Sequence, residues 1–194
     1  IDPILFRDWA PPSKIETPLS DQTPGEPKKY RITFSKTDSA RHLSHLELLR
    51  LFIRAFKRVG LDLVYSRGFH PLPKVSFASA LPVGTESIHE TVDFELYETM
   101  PMASVREEIS RQLPNGIGVI CLEDITSEKG RPRLEESHFH VALNGVEIGK
   151  TDLEGFLASK YFPIAKTRKE RVQTINARSM VKSMSPIPPN GLHL

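Results

Sequence analysis

Between Tyr30 and Leu122 the spacing of apolar residues changes in a fixed order. It runs at every second residue, then every three or four, then every second through two further segments, then every three or four, and ends in a continuous run. Period two places alternate side chains on one face of a strand, and period 3.6 stacks them along one side of a helix. The order is therefore strand, helix, strand, strand, helix, strand, which predicts an α+β fold of the ferredoxin-like, split βαβ type (βαββαβ) over residues 28–126.

Each segment carries its own signals. Tyr30, Ile32 and Phe34 alternate with Arg31, Thr33 and Ser35. Ser44-x-x-Glu47 forms a capping box ahead of His45 to Val59, where Leu46, Leu49, Ile53 and Phe56 predict the buried stripe and Gly60 the end. Leu61 to Ser66 leads into Gly68-Phe69-His70-Pro71-Leu72-Pro73, a loop stiffened by its prolines, and then Lys74 to Ala80, with Val75 and Phe77 alternating with Lys74 and Ser76. From Ile88 to Tyr97 the expected inward residues are Val92, Phe94 and Leu96, with His89, Asp93 and Glu95 facing out. Pro101 opens a second helix with Met102, Val105, Ile109 and Leu113 on one stripe, and Ile117 to Leu122 reads as a buried strand.

The flanks are different. Residues 1–27 hold six of the sixteen prolines among Ser, Thr, Asp and Glu, the composition of an extended linker that builds no core. Ile4-Leu5-Phe6 and Trp9 inside it are apolar enough to lie across the domain or belong to a neighbouring one. After the charged Ser127 to Glu136 link, residues 137–194 predict a second, incomplete α+β unit. It has strands at His138–Leu143 and Phe162–Thr167, a short helix at Thr151–Ser159, and a further strand within Arg171–Met184. The tail from Ile187 to Leu194 leaves no room for a second helix or a closing strand, and a start at Ile1 without methionine suggests a piece excised from a longer protein.

Charge is segregated. The whole chain carries only +2, but Lys28 to Lys74 holds eleven basic residues against three acidic ones, a local +8 that leaves −6 elsewhere. On the first helix Arg50, Arg54, Lys57 and Arg58 recur at intervals of three and four and so stack on one face. A sided charge suits an anionic partner, although a solvated face is the common alternative. Tyr65, Phe69 and Phe77 lie in sequence close to Arg67 and Lys74, the pairing of rings and cations that single-stranded nucleic acid uses; Phe77 is better read as core. His70, between Phe69 and two prolines, is placed to be held rather than buried.

Catalytic and metal chemistry find little support. One cysteine, Cys121, excludes an internal disulfide, a zinc site built on several thiolates and a three-cysteine iron–sulfur cradle, and makes a reducing, cytoplasmic setting the default. Cys121 lies in an apolar run and reads as inert core. No stretch of the sequence has the roughly 18 consecutive apolar residues of a spanning helix, so no membrane is expected. There is no nucleophile elbow, phosphate loop or dinucleotide fingerprint. His42 and His45 straddle a helix cap without a carboxylate pair. His138 and His140 share a strand face, but the sequence nominates no third ligand, so no metal is expected.

The stretch FSKTDSARHLSHLELLRLFIRAFKRVGLDLVYSRGFHPLPKVSFASALPVGTES, Phe34 to Ser87, closely resembles the radical SAM-linked domain, a family of unknown function, and Arg168 to Met184 resembles a later segment of it. That family occurs alone or fused behind a radical SAM protein with a cobalamin-binding-type domain. The resemblance implies that any iron–sulfur cluster and SAM belong to that fused or partner region, with no cofactor in this chain, and it supplies no catalytic residue. Neighbouring genes in the family often encode ribosomal proteins and ribonucleases, which agrees in direction with a basic helix. Lys129-Gly130-Arg131 has no counterpart in the family pattern.

The resulting expectation is a non-catalytic module that recognises rRNA or tRNA for a radical SAM partner through Arg50, Arg54, Lys57, Arg58, Arg67, Phe69, His70 and Lys74. One alternative is a protein-docking domain that contacts the radical SAM core. Another is an RNA-directed enzyme with His42, His45 or His70 as general acid or base.

Overall fold

The computed structural model describes residues 25–97, 101–128, 136–146, 148–168, 171–187 and 191–194. Ile4-Leu5-Phe6, Trp9 and Lys129-Gly130-Arg131 lie outside the described residues, as does the proline-rich entry except for Gly25–Pro27. The chain divides into two compact units, Ile1–Pro132 and Arg133–Leu194, and its architecture is α+β.

The first unit contains β1 (Lys28–Lys36), α1 (His45–Val59), β2 (Val75–Phe77), β3 (Ser87–Leu96), α2 (Met102–Gln112) and β4 (Ile117–Asp124). Its sheet runs in the order β2-β3-β1-β4, and every neighbouring pair is antiparallel. The register sets Tyr30 opposite Phe94 and Ile32 opposite Val92, so the alternate apolar residues of both central strands share one face. Against it pack Leu48, Phe52 and Phe56 of α1 and Val105 and Ile109 of α2. An aromatic chain ties the layers together, with ring centroids 4.9 Å apart for Phe34–Phe52, 5.8 Å for Phe52–Phe56 and 4.4 Å for Phe56–Phe94. Burial of each such ring stabilises the fold by about 1.5–3 kcal/mol.

Helix α1 begins and ends as its sequence predicts. Ser44 Oγ accepts from the Glu47 backbone N–H, the Glu47 carboxylate accepts from the Ser44 backbone N–H at 2.8 Å, and Gly60 closes the helix at φ 82°. The expected stripe is rotated, however. Leu48, Phe52, Ala55 and Phe56 are buried, whereas Leu46 is 52% exposed and Leu49 and Ile53 are half-buried. Two apolar sets at helical spacing compete on this helix, and the one containing both phenylalanines takes the sheet because it removes more apolar area from water.

Three further expectations change. Ile117–Leu122 is not buried on both faces: β4 is an edge strand, and Ile120 is about half exposed. Asp93 does not face water but is buried, accepting from Arg31 Nε at 2.7 Å and Nη2 at 3.0 Å, with Lys29 Nζ 3.4 Å away. Lys36, on the same face as Phe34, is 1% exposed and donates to the Leu43 carbonyl at 2.8 Å, which pins the turn leading into α1. Burial holds the Lys36 ammonium below the ordinary lysine range, partly offset by the Glu90 charge.

The second unit contains β5 (His140–Ala142), α3 (Lys150–Ala158), β6 (Pro163–Arg168), β7 (Arg171–Asn176), β8 (Ser185–Ile187) and β9 (Gly191–His193). β6 and β7 form a hairpin, and the other strands form a sheet in the order β5-β9-β8. The tail therefore does supply a closing strand, since β9 lies at the centre of this sheet. Backbone pairing on both sides compensates for its short length.

Candidate functional site

Arg50, Arg54, Lys57 and Arg58 are exposed on α1, on the sides left after Leu48, Phe52 and Phe56 take the core. The segment after the helix folds back as a narrow hairpin. Val64 N–H donates to the Glu95 carbonyl at 2.9 Å and Lys74 N–H to the Val64 carbonyl at 2.8 Å. Ser66 and Leu72 close the neck, Ser66 N–H donating to the Leu72 carbonyl at 2.8 Å and Leu72 N–H to Ser66 Oγ at 3.0 Å. Beyond this clamp the tip carries Arg67, Gly68, Phe69, His70 and Pro71. Gly68 takes φ 135°, a conformation side-chain-bearing residues rarely adopt. Phe69 is 103% exposed, so its ring is presented to solvent on both faces.

Helix and hairpin meet through a cation–π contact. Lys57 Nζ stands 5.8 Å from the centroid of the Tyr65 ring, a cation–π distance, which joins the basic face to the root of the hairpin. Tyr65 is 39% exposed, so it is not simply core. Phe77 is largely taken up by packing, its ring centroid 5.9 Å from that of Phe52 and 5.2 Å from that of His45.

The +8 of the sequence is distributed unevenly on the surface. Lys36 is buried, Arg31 is paired with Asp93 and Glu128, Arg41 with Glu86 at 3.4 Å, and Lys74 with Glu95 at 2.6 Å. Hydrogen bonding to Asp93 raises the Arg31 pKa against the opposing effect of burial. Among the described residues, Arg50, Arg54, Lys57, Arg58 and Arg67 make no ion pair with a carboxylate. Lys74 thus stands apart from the other site candidates. The cleft at the base of the hairpin, about 380 Å³ and lined by Lys29, Ser66, Lys74, Asp93 and Glu95, is charge-balanced for the same reason. It offers an anion far less than the helix face and hairpin tip do.

Sequence reasoning missed Leu46 and Leu72, whose exposed apolar surface borders the cations in sequence. Leu46 was hidden by the phase ambiguity of α1, and Leu72 had no periodic signal. His42 lies beside Arg41, whose Nε is 3.2 Å from its Nε2, and His45 lies against Phe77. Cys121 is partly exposed rather than core. Among the described residues no helix is long and apolar enough to cross a membrane.

No curated protein matches the chain. A family model described as "Uncharacterized protein conserved in bacteria (DUF2344)" matches residues 29–192, spanning both units from β1 to β9. The chain belongs to this DUF2344 family.

Proposed function

We propose that this chain is a non-catalytic RNA-recognition module serving a radical SAM protein in the cytoplasm, with rRNA or tRNA as its target. The observation that carries the reading is the Lys57–Tyr65 contact, which makes a helix face of unpaired cations continuous with a stiff hairpin bearing a solvent-presented phenylalanine. Cations at Arg50, Arg54, Lys57, Arg58 and Arg67 meet phosphates, and Phe69 stacks on an unpaired base beside His70. Lys74 holds the hairpin to β3 through Glu95 and reaches RNA only by giving up that pair. The radical SAM partner rests on the resemblance of Phe34 to Ser87, and the cytoplasmic setting on the single cysteine. The strand order β2-β3-β1-β4 with its two helices supports assigning the first unit to the ferredoxin-like plan.

The test is fluorescence anisotropy of labelled tRNA and rRNA fragments across several salt concentrations, comparing wild type with Arg50→Ala, Arg54→Ala and Arg58→Ala combined. Three lost phosphate contacts should lower the salt slope by about 2 on single strands and weaken binding throughout. Absence of binding at low salt would reject the reading. The exposed Leu46 and Leu72 favour a second one in that event, a docking surface for the radical SAM core.

A further inference from the structure

The charge outside Lys28 to Lys74 is itself uneven. Lys160 to Lys182 holds seven basic residues against Glu170 alone, a local +6 within the second unit. Two of these cations serve the fold: Arg178 donates to the Leu157 carbonyl at 2.9 Å and to the Val181 carbonyl at 2.6 Å, and Lys182 pairs with Glu136. The others fall between Lys160 and Arg171, on the β6–β7 hairpin or at its foot.

The hairpin stands in water. From Pro163 to Thr167 and from Val172 to Thr174 every residue is exposed, so neither face is taken up by packing. A two-stranded ribbon with no covered face is marginal by itself, and this one is clamped at its foot. Phe162 N–H donates to Asn176 Oδ1 at 2.9 Å, Ala177 N–H to the Phe162 carbonyl at 2.8 Å, and Asn176 Nδ2 to the Lys160 carbonyl at 3.3 Å. The Phe162 ring also meets that of Phe156 on α3 edge-on, with centroids 5.1 Å apart. The register sets Lys166 opposite Gln173 and Arg168 opposite Arg171, and strand alternation puts these four positions on one face. Same-face positions along a strand are about 6.8 Å apart, close to the spacing of successive phosphates along a nucleic-acid strand.

Composition separates this ribbon from the first-unit hairpin. Neither β6 nor β7 contains an aromatic residue, so an unpaired base has no ring to stack on, and stacking is what single strands use. The ribbon offers cations, the Gln173 amide and the hydroxyls of Thr167 and Thr174, which suit phosphates and 2′-hydroxyls. An A-form duplex displays its 2′-hydroxyls in a wide, shallow minor groove flanked by phosphates, which proteins recognise by shape and backbone. We propose that the β6–β7 ribbon is a second nucleic-acid surface, taking the backbone of double-stranded RNA through Lys160, Lys166, Arg168 and Arg171. The inference rests on the RNA reading above and adds the class of RNA: one with a stem for this ribbon and unpaired residues for Phe69.

The experiment is fluorescence anisotropy of the full 194-residue chain with a blunt RNA duplex, a single RNA strand of the same length and a DNA duplex of the same sequence, across several salt concentrations. Lys166→Ala, Arg168→Ala and Arg171→Ala combined should weaken RNA-duplex binding about tenfold and lower its salt slope by about 2–3, with single-strand binding within about twofold of wild type. The charge-keeping set Lys166→Arg, Arg168→Lys and Arg171→Lys should bind the duplex as wild type does, and circular dichroism of both sets reports on the fold. Single-strand binding without duplex binding, or duplex binding unchanged in the alanine set, overturns this inference and leaves the RNA reading standing. Loss of duplex binding in a folded charge-keeping set, or tighter binding of the DNA duplex than of the RNA duplex, also overturns it. If neither RNA binds, the RNA reading falls and this inference with it.

Discussion

The two units solve the problem of a stable sheet in opposite ways. In the first, β1 and β3 are long, paired through nearly their whole length, and covered on one face by two helices. In the second, three-residue strands pair around β9, and Leu153 and Leu192 are the only buried apolar side chains among the described residues. The first unit is held by apolar burial, and its α1 cations and hairpin tip are left over for other uses. The second is held chiefly by backbone pairing.

The sharpest way to break this contrast is by cavity formation. Phe52→Ala should cost about 3–5 kcal/mol of first-unit stability in denaturant melts, and Leu192→Ala about 2 kcal/mol of second-unit stability. Equal losses would contradict the contrast. Gly116→Ala comes next: with φ 89° and an added Cβ only 2.5 Å from the Thr37 carbonyl oxygen, it should cost about 1–3 kcal/mol by forcing β4 away from the turn before α1. Phe69→Ala should leave stability within about 0.5 kcal/mol of wild type and weaken single-stranded RNA binding by about 1–3 kcal/mol. A drop in melting temperature instead would mean that the Phe69 ring packs against the fold.

The smallest effect concerns pH. Because burial lowers the Lys36 pKa in the folded state, the unfolded chain binds the extra proton over the interval between that value and the ordinary lysine value. Stability should therefore rise with pH across that interval. Lys36→Met removes this contribution, so the difference in unfolding free energy between wild type and variant should tilt toward wild type as pH rises there. A pH-independent difference would mean that Lys36 is not desolvated.

Much of the first unit was legible because its signals are local. Alternation at Tyr30–Phe34 and Val92–Leu96, the Ser44–Glu47 cap, Gly60, and the Val105–Ile109 stripe each act within a few residues, and each is found in place. The phase of α1 was not legible, because Leu46, Leu49 and Ile53 compete with Leu48, Phe52 and Val59 and only the sheet decides between them. The pairing of Lys74 with Glu95 depends on how the hairpin joins β3, and that of Arg31 with Asp93 on the β1–β3 register. No local pattern carries either. His193 illustrates the same limit most clearly: its partner His140 is on the opposite end of the unit, and the strand that brings them together has only three residues. The tail from Ile187 to Leu194 looked too short for a closing strand, yet β9 forms there because it pairs on both edges.

The most direct measurement of the central claim is ultraviolet cross-linking of the full chain to bound RNA, with the attached peptides identified by mass spectrometry. The account predicts cross-links within His45–Lys74, strongest at Phe69 and Tyr65, and their loss when Arg50, Arg54 and Arg58 are replaced together. Cross-links confined to the second unit, or none at a salt concentration where RNA is bound, would contradict it.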